Sequence, residues 1–220
     1  MADKQIIIAS PSYDGKVDVR HAISLSETCK IGILNGINIL PLYVSFDSMI
    51  QRARNDVCKL ALQTDTTHLI FIDCDQDWNP LDVFKLLSYD IPIVAAPIRK
   101  KNDTPTYNVK LYGDYVVDER GLVKVDGIGT GMMCIRRDAL QALSDISETY
   151  SDKEDDYSKN IFEIKIIDGK LFSEDMVFCE KWKSIGGEIY IDPTINCGHT
   201  GVKRWESNFS EWIKMIGRSN

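Results

Sequence analysis

The chain lacks nearly every mark of a stapled, membrane-embedded or polyanion-binding protein. None of its six cysteines forms a CxxC pair, so the ligand spacing of a structural zinc site is missing. No apolar run approaches a membrane span, and no apolar stretch with a cleavage site follows the polar Met1-Ala2-Asp3-Lys4-Gln5. Basic residues are outnumbered, 26 Lys and Arg against 33 Asp and Glu, for a net charge of −7. Broad nucleic-acid binding needs a basic face to displace counterions, so this balance argues against it. There is no internal repeat and no low-complexity tract. Pro11-Ser12-Tyr13-Asp14-Gly15 contains no Gly-rich, Lys- or Arg-bearing phosphate loop. Together these absences predict a cytoplasmic protein. Cys29, Cys58, Cys74, Cys134, Cys179 and Cys197 all sit in apolar segments, which predicts buried free thiols.

What is present suits one globular domain. Hydrophobic residues make up 44% of 220 and charged residues 27%, enough to bury a core without staples. Ile6 to Ala9 reads as a buried strand, Val19 to Leu34 as a helix, and Ile37 to Val44 as a strand that Pro41 pushes to an edge or bulge. Asp47 to Gln63 carries a helical apolar stripe, with Asp47 or Ser48 as N-cap. His68 to Ile72 is a buried strand, Pro80 to Leu87 a helix and Pro92 to Ala96 a strand. This alternation predicts an α/β fold with a mainly parallel central sheet and helices on both faces. Ligands of such sheets bind beyond the carboxyl ends of the strands, which puts Pro11-Ser12-Tyr13 and Asp73-Cys74-Asp75 on one rim. After Ala96 short strands are expected around Thr106–Leu111, Tyr115–Asp118, Leu122–Val125 and Met132–Ile135. A short helix is expected over Arg137–Leu143. The acidic stretch from Ser144 to Lys159 reads as a solvated loop or an active-site lid. Helices return at Ser173–Ile185, with Ser173 as cap, and at Arg204–Ile216.

Asp73 and Asp75 stand at i and i+2 just past a buried strand. Carboxylates there are costly unless solvated or paired with a cation, and their hard oxygens suit Mg²⁺ or Mn²⁺. A plain solvated loop is the competing reading. Asp77 is close enough in sequence to serve as an outer group. Of the three histidines, His21 falls on a helix and His68 on a strand, whereas His199 lies between Gly198 and Gly201, where the backbone permits close approach to a ligand. Glu174 and Asp175 open a helix. Acidic residues are favoured there by the helix dipole alone, and they also suit a general base.

In order along the chain, several segments resemble GT-A glycosyltransferases. His68-Leu69-Ile70-Phe71-Ile72-Asp73-Cys74-Asp75 is similar to their "DxD" strand, and Arg52-Ala53-Arg54-Asn55 to the Arg-Asn helix of small viral and bacterial members. Gly129-Thr130-Gly131-Met132-Met133 resembles the segment beside the sugar pocket, Phe172-Ser173-Glu174-Asp175 the acidic acceptor-side motif, and Gly198-His199-Thr200-Gly201 the late histidine. The resemblance runs from about Ile6 to Gly201. It implies one Rossmann-like GT-A domain, residues 1–98 forming the nucleotide-sugar half and 99–220 an acceptor-side half with a small β region. It also implies that Pro11, Ser12 and Tyr13 line the nucleotide pocket, with Tyr13 stacking on the base. Arg54 would reach the donor's phosphates or ribose or buttress the Asp73 loop, with Arg52 as a weaker candidate and Asn55 as a support of that loop. Gly129 and Gly131 would lie against the donor sugar. Asp73, Asp75 and His199 would hold Mn²⁺ or Mg²⁺, Asp73 also contacting the donor. Asp175 would be the base of an inverting transfer from a UDP- or GDP-sugar to a hydroxyl of a glycan or other acceptor, with Glu174 binding acceptor or sugar. Lys203 and Arg204 would touch the diphosphate, and Trp205 a sugar face or the core. The rival readings are a nucleotidyltransferase that makes nucleotide sugars and a non-catalytic nucleotide- or carbohydrate-binding module. A modified nucleic-acid base as acceptor would need a local basic groove around Arg99-Lys100-Lys101; a solvated loop is the plainer reading of that triplet.

Overall fold

A computed structural model of the chain describes residues 5–154 and 156–217. Asp155, inside the acidic stretch, lies outside the described residues, as do Met1 to Lys4. Through the first half run β1 (Gln5–Ser12), α1 (Val19–Leu34), β2 (Asn38–Ser45), α2 (Ile50–Leu62), β3 (His68–Ile72), β4 (Gln76–Asp77), α3 (Pro80–Ser88) and β5 (Ile93–Ala95). The second half adds β6 (Val109–Leu111), β7 (Val123–Ile128), β8 (Met132–Arg136), α4 (Arg137–Ile146), β9 (Thr149–Lys153) and β10 (Asp156–Lys159). It ends with β11 (Lys165–Ile167), β12 (Lys170–Phe172), α5 (Glu174–Ser184), β13 (Ile189–Ile191), β14 (Gly198–Thr200), β15 (Arg204–Trp205) and α6 (Phe209–Met215).

Eight strands form one sheet in the order β2-β1-β3-β8-β5-β13-β7-β6. The sheet is mixed, not mainly parallel as expected. β1 runs parallel to β2 and β3, and β5 to β13. β8, however, runs antiparallel between β3 and β5, and β7 pairs antiparallel with β13 and β6. β8 is apolar on both faces because helices cover both sides of the sheet, and strand direction leaves no trace in such a run. Pro41 indeed lies on an edge strand, β2, where a missing N–H breaks no inner ladder.

The two-residue period of the strands separates the two core layers. Ile7, Ala9, Leu69, Phe71, Met133 and Ile135 pack with Val57 and Ala61 of α2, Leu140 of α4, Phe178 of α5 and Phe209 of α6. Ile6, Ile8, Ile70, Ile72 and Cys134 face Leu25 of α1 and Val83 and Leu86 of α3. Local chemistry sets the helix starts. Asp18 caps α1 by accepting from Arg20 N at 2.9 Å, and Asn79 caps α3, whose first residue is Pro80. Met49, not Asp47 or Ser48, is the N-cap of α2, while Asp47 accepts from Met49 N at 2.8 Å.

Four further expectations are corrected. The stretch from Ser144 to Lys159 is the end of α4 followed by the β9–β10 hairpin, not an open loop. Tyr115–Asp118 contributes only a bridge, Val117 to Val123. Arg204 and Trp205 are a strand, because they pair with β14, and α6 begins after its cap Asn208. Cys29 and Cys74 are half-exposed; the other four thiols are buried, and all six are free.

Candidate active site

β1 and β3 are parallel neighbours with Ile6 opposite His68 and Ala9 opposite Phe71, so their following loops leave the sheet at one end. Asp73 N donates to Gly131 O at 3.1 Å, where the β3–β8 ladder stops, and this seats the turn at Gly129–Gly131 beside Asp73. Across the same rim, β4, β14 and β15 form a small separate sheet in which His199 pairs with Gln76. Thr200 N adds a bond to Asp75 O at 2.8 Å. This sheet carries the late histidine back to the Asp73–Asp75 loop across more than a hundred residues of chain. At Gly198 a Cβ would sit 2.2 Å from Asp77 Oδ2 and 2.4 Å from Arg204 Nη2, so a side chain there would push that ion pair aside.

A cavity of about 490 Å³ opens here. Arg54, Asp73, Gly129, Gly131, Glu174, Asp175 and His199 line it, so most of the expected site residues converge; Asp75 does not line it but adjoins it beside His199. Arg54 projects from α2 and is buried, pairing with Glu174 through Nη1 and with Asp73 Oδ1 through Nη2 at 3.4 Å. Its guanidinium also lies 5.8 Å from the Phe162 ring centre. Glu174 is thereby held by Arg54. Asp175, one residue on, is buried and receives three donors: Asn108 Nδ2 at 3.0 Å, Met176 N at 2.8 Å and the Ser173 hydroxyl. Ser173 therefore spends its side chain on Asp175 and makes no capping bond to the helix backbone.

Asp75 and His199 form a pair. His199 Nδ1 lies 2.7 Å from Arg99 O, and since a carbonyl only accepts, Nδ1 carries the proton. Nε2 then turns its lone pair toward Asp75 Oδ1, 3.4 Å away, an oxygen that is buried and has no hydrogen-bond partner. Two acceptors facing each other call for a cation between them: a second proton on the ring, or a metal ion. Burial works to raise the Asp75 carboxyl, but His199, when its ring carries the second proton, and Lys101 outweigh burial and hold it below the ordinary carboxylate value. Among the described residues no group of three or more His, Cys, Asp or Glu side chains is gathered for a metal. Asp73 faces Arg54 and, at 3.5 Å, Gln76 Nε2. Asp75 and His199 thus fit a hard ion as two donors of a shell that waters or substrate oxygens would complete. Burial, then the neighbouring Asp75, pushes the Cys74 thiol up, so it stands there as a neutral thiol.

Other expected residues lie elsewhere. Pro11 and Ser12 are buried at the end of β1, and Tyr13 is 75% exposed; none of the three lines the cavity. Their loop is tied to the far side of the Asp73–Asp75 loop by Asp18 N donating to Cys74 O at 2.9 Å. Arg52 pairs with Asp47 through two 2.8 Å bonds. Asn55 clasps the backbone of Phe162, donating to its O at 3.0 Å and accepting from its N at 2.8 Å, rather than supporting the Asp73 loop. Asp77 is taken up by Arg204 at 2.9 and 3.0 Å, Lys203 by Asp103, and Trp205 is buried. Asn108 and Gln76 line the cavity unanticipated, Thr130 lines it within the expected Gly129–Gly131 segment, and Arg99, Lys100 and Lys101 form its basic wall. Gln76, adjoining Asp75 in sequence, was open to notice; Asn108 carried no local signal.

Four polar atoms of the lining are buried without partners: Arg54 Nε, Gln76 Oε1, Arg99 Nε and Thr130 Oγ1. Native structures leave few such atoms, so the cavity is equipped for a polar ligand.

No family model and no curated protein matches this chain. Solved structures do. A197 from STIV is 16% identical over 90% of this chain and 86% of its own, with a TM-score of 0.55. A CMP:2-keto-3-deoxy-manno-octonic acid synthetase with CTP shares 12% over 86% and 89%, at 0.44. A glycosyltransferase involved in glycosylation of the major capsid of PBCV-1 shares 17% over 62% of each chain, at 0.34. The latter two are loose likenesses of shape and do not bear on what this chain does. Layered as found, with a mixed sheet between helices and a cavity past the ends of β1 and β3, the chain has the α/β class expected from its sequence, and it shares this architecture with A197.

Proposed function

We propose that this protein is a metal-dependent glycosyltransferase that moves a sugar from a UDP- or GDP-sugar to an acceptor hydroxyl. One observation carries the reading: a single polar cavity has Asp175, fixed by three donors, on one wall and Arg54, Lys101 and His199 on the others. A diphosphate leaving group needs cations, an attacking hydroxyl needs a base, and both are within one ligand's reach.

Asp75 and His199 would hold Mn²⁺ or Mg²⁺, with Asp73 beside them. When bound, the ion supplies charge that stabilises the departing diphosphate. Asp175 takes the proton from the acceptor hydroxyl as that oxygen attacks the anomeric carbon. Asn108 and Ser173 hold its carboxylate in place. Glu174 acts through Arg54, which it orients toward the donor. The nucleotide base would lie over the rim toward Tyr13, which is exposed beyond the end of β1. Gly129 and Gly131 leave room for the sugar; a Cβ at Gly131 would come 2.4 Å from Gln76 Nε2.

Thermal-shift measurements with UDP, GDP, CDP and dTDP, each with and without Mn²⁺, test the donor site, because a ligand of the folded state raises its stability. A metal-dependent shift with one nucleotide, absent in Asp75→Ala, is the expected outcome. In Asp175→Asn that shift persists while transfer falls by at least about a hundredfold, the scale of general-base catalysis. No shift with any nucleotide would leave a different polar ligand for the cavity. Turnover of CTP or UTP with a sugar phosphate, in place of sugar transfer, would instead make the protein a nucleotidyltransferase.

A further inference from the structure

The two oxygens of Asp75 meet different surroundings. Oδ1 is the buried, unpartnered atom beside His199. Oδ2 receives the ammonium of Lys101. Lys101 rides on a strap, residues 99–106, closed by Lys100 N donating to Thr106 O at 2.8 Å and by the bridge from Arg99 to Tyr107. The strap is fastened to the segment after His199. Arg99 Nη1 donates to Glu206 O at 2.6 Å, Trp205 Nε1 to Asp103 Oδ1 at 3.4 Å, and Lys203 pairs with Asp103. The carbonyl that orients His199 also belongs to it, that of Arg99. One strap therefore sets the imidazole and lays a cation on the carboxylate beside it.

We propose that Lys101 competes with the divalent cation for Asp75. In the metal-free protein its ammonium neutralises the carboxylate; metal binding displaces it into the cavity, where the donor's phosphate oxygens accept it. This rests on the metal and diphosphate reading above. An ammonium and a divalent ion on one carboxylate repel each other strongly at contact distance, so occupancy by one weakens the other. Lysine suits the exchange: its charge is compact and its stem long and flexible. The stem is partly exposed and runs past Gly201, where a Cβ would lie 3.2 Å from Lys101 Cδ. Arg99 could not make this move, since three backbone carbonyls hold its guanidinium. The consequence is cooperativity. A diphosphate that gives Lys101 a new partner frees Asp75, so nucleotide and metal each raise the other's affinity by the same factor.

Mn²⁺ titration of the full chain, with free Mn²⁺ followed by electron paramagnetic resonance, tests this in wild type, Lys101→Met and Lys101→Arg. Without nucleotide, Lys101→Met should bind Mn²⁺ roughly three- to tenfold more tightly than wild type, the scale of losing a partly exposed charge-assisted competitor. Lys101→Arg keeps a cation on Asp75 and should stay near wild type. With UDP or GDP added, the gain in Mn²⁺ affinity should be smaller in Lys101→Met than in wild type. Mn²⁺ binding of equal or lower affinity in Lys101→Met overturns the competition while leaving the metal site standing. Absence of Mn²⁺ binding in every variant, with and without nucleotide, overturns the metal reading and the competition with it.

Discussion

Arg54 is the residue around which the candidate site is assembled. It reaches Glu174 and Asp73 from a helix interior, leaving its side chain 6% exposed. Arginine suits the place because its planar fork can serve two carboxylates at once. Removing one partner of a buried ion pair strands the other, at a cost of about 3–5 kcal/mol. Arg54→Met should therefore lower the urea midpoint more than Arg54→Met combined with Glu174→Gln, because the double variant no longer buries an unpaired carboxylate. Equal loss in both variants would mean that the guanidinium acts mainly by packing on Phe162. Arg54, Asp73, Asp175 and His199 were recognisable in the sequence because each sits in a short motif with a chemical reading. Asn108 was not, since its role depends on meeting Asp175 sixty-seven residues later, and nothing around Asn108 announces that meeting.

At the scale of elements, the helices were legible where composition and position agreed. Val19–Leu34 has a capping Asp18 before it and a stopping Gly36 with φ of +67° after it, and α1 has those bounds, but the face it buries is His21, Ser24, Leu25, Thr28 and Gly32, while Ile23 and Ile33 are exposed. The hairpin β9–β10 was missed because its composition is that of a solvated loop: Tyr150 and Tyr157 hint at strands, but the acidic residues between them mask the pattern. The junction of α3 with the segment after β13 depends on another buried carboxylate. Asp192 accepts from Lys85 Nζ at 2.6 Å, Tyr89 Oη at 2.8 Å, Thr194 Oγ1 at 2.7 Å and Thr194 N at 2.9 Å. Burial acts to raise its carboxyl, and these donors outweigh burial to hold it below the ordinary value. A depressed folded-state value means that the unfolded chain binds the proton first. The stabilisation is therefore complete above the unfolded value of about 4 and is lost as pH falls through the folded value. Urea midpoints should show Asp192→Asn less stable than wild type at pH 7, with the gap narrowing below about pH 4. A gap that stayed constant to pH 3 would show that Asp192 does not titrate in this window.

The whole molecule shows why the two halves read from sequence are not separable pieces of architecture. The first ninety-eight residues alternate strand and helix as a nucleotide-binding unit would, and read alone they invite a parallel sheet. Yet β8, from the second half, lies between β3 and β5, and both sheet neighbours of β5, β8 and β13, come from beyond residue 98. Periodicity reports which faces of a strand are buried, not which strand lies beside it, so this interleaving stayed hidden. It has a measurable consequence. In a chain of residues 1–98, β5 would have no sheet partner, β3 would present a bare ladder edge, and Phe71 and Ile70 would lose Met133 and Cys134 opposite them. An open, apolar edge of this kind favours association over folding. The 1–98 fragment should therefore show no cooperative urea transition and should aggregate, whereas co-expression with residues 99–220 should restore a soluble complex with the far-ultraviolet dichroism of the intact chain. A 1–98 fragment that unfolded cooperatively as a monomer would show that β1, β2 and β3 with their helices are sufficient, and that the second half docks on a finished domain. The expected result instead makes the cavity a product of folding. Arg54 and Asp73 would face Glu174 and Asp175 only once β8 is in place, so donor-side and acceptor-side walls would form in one cooperative step.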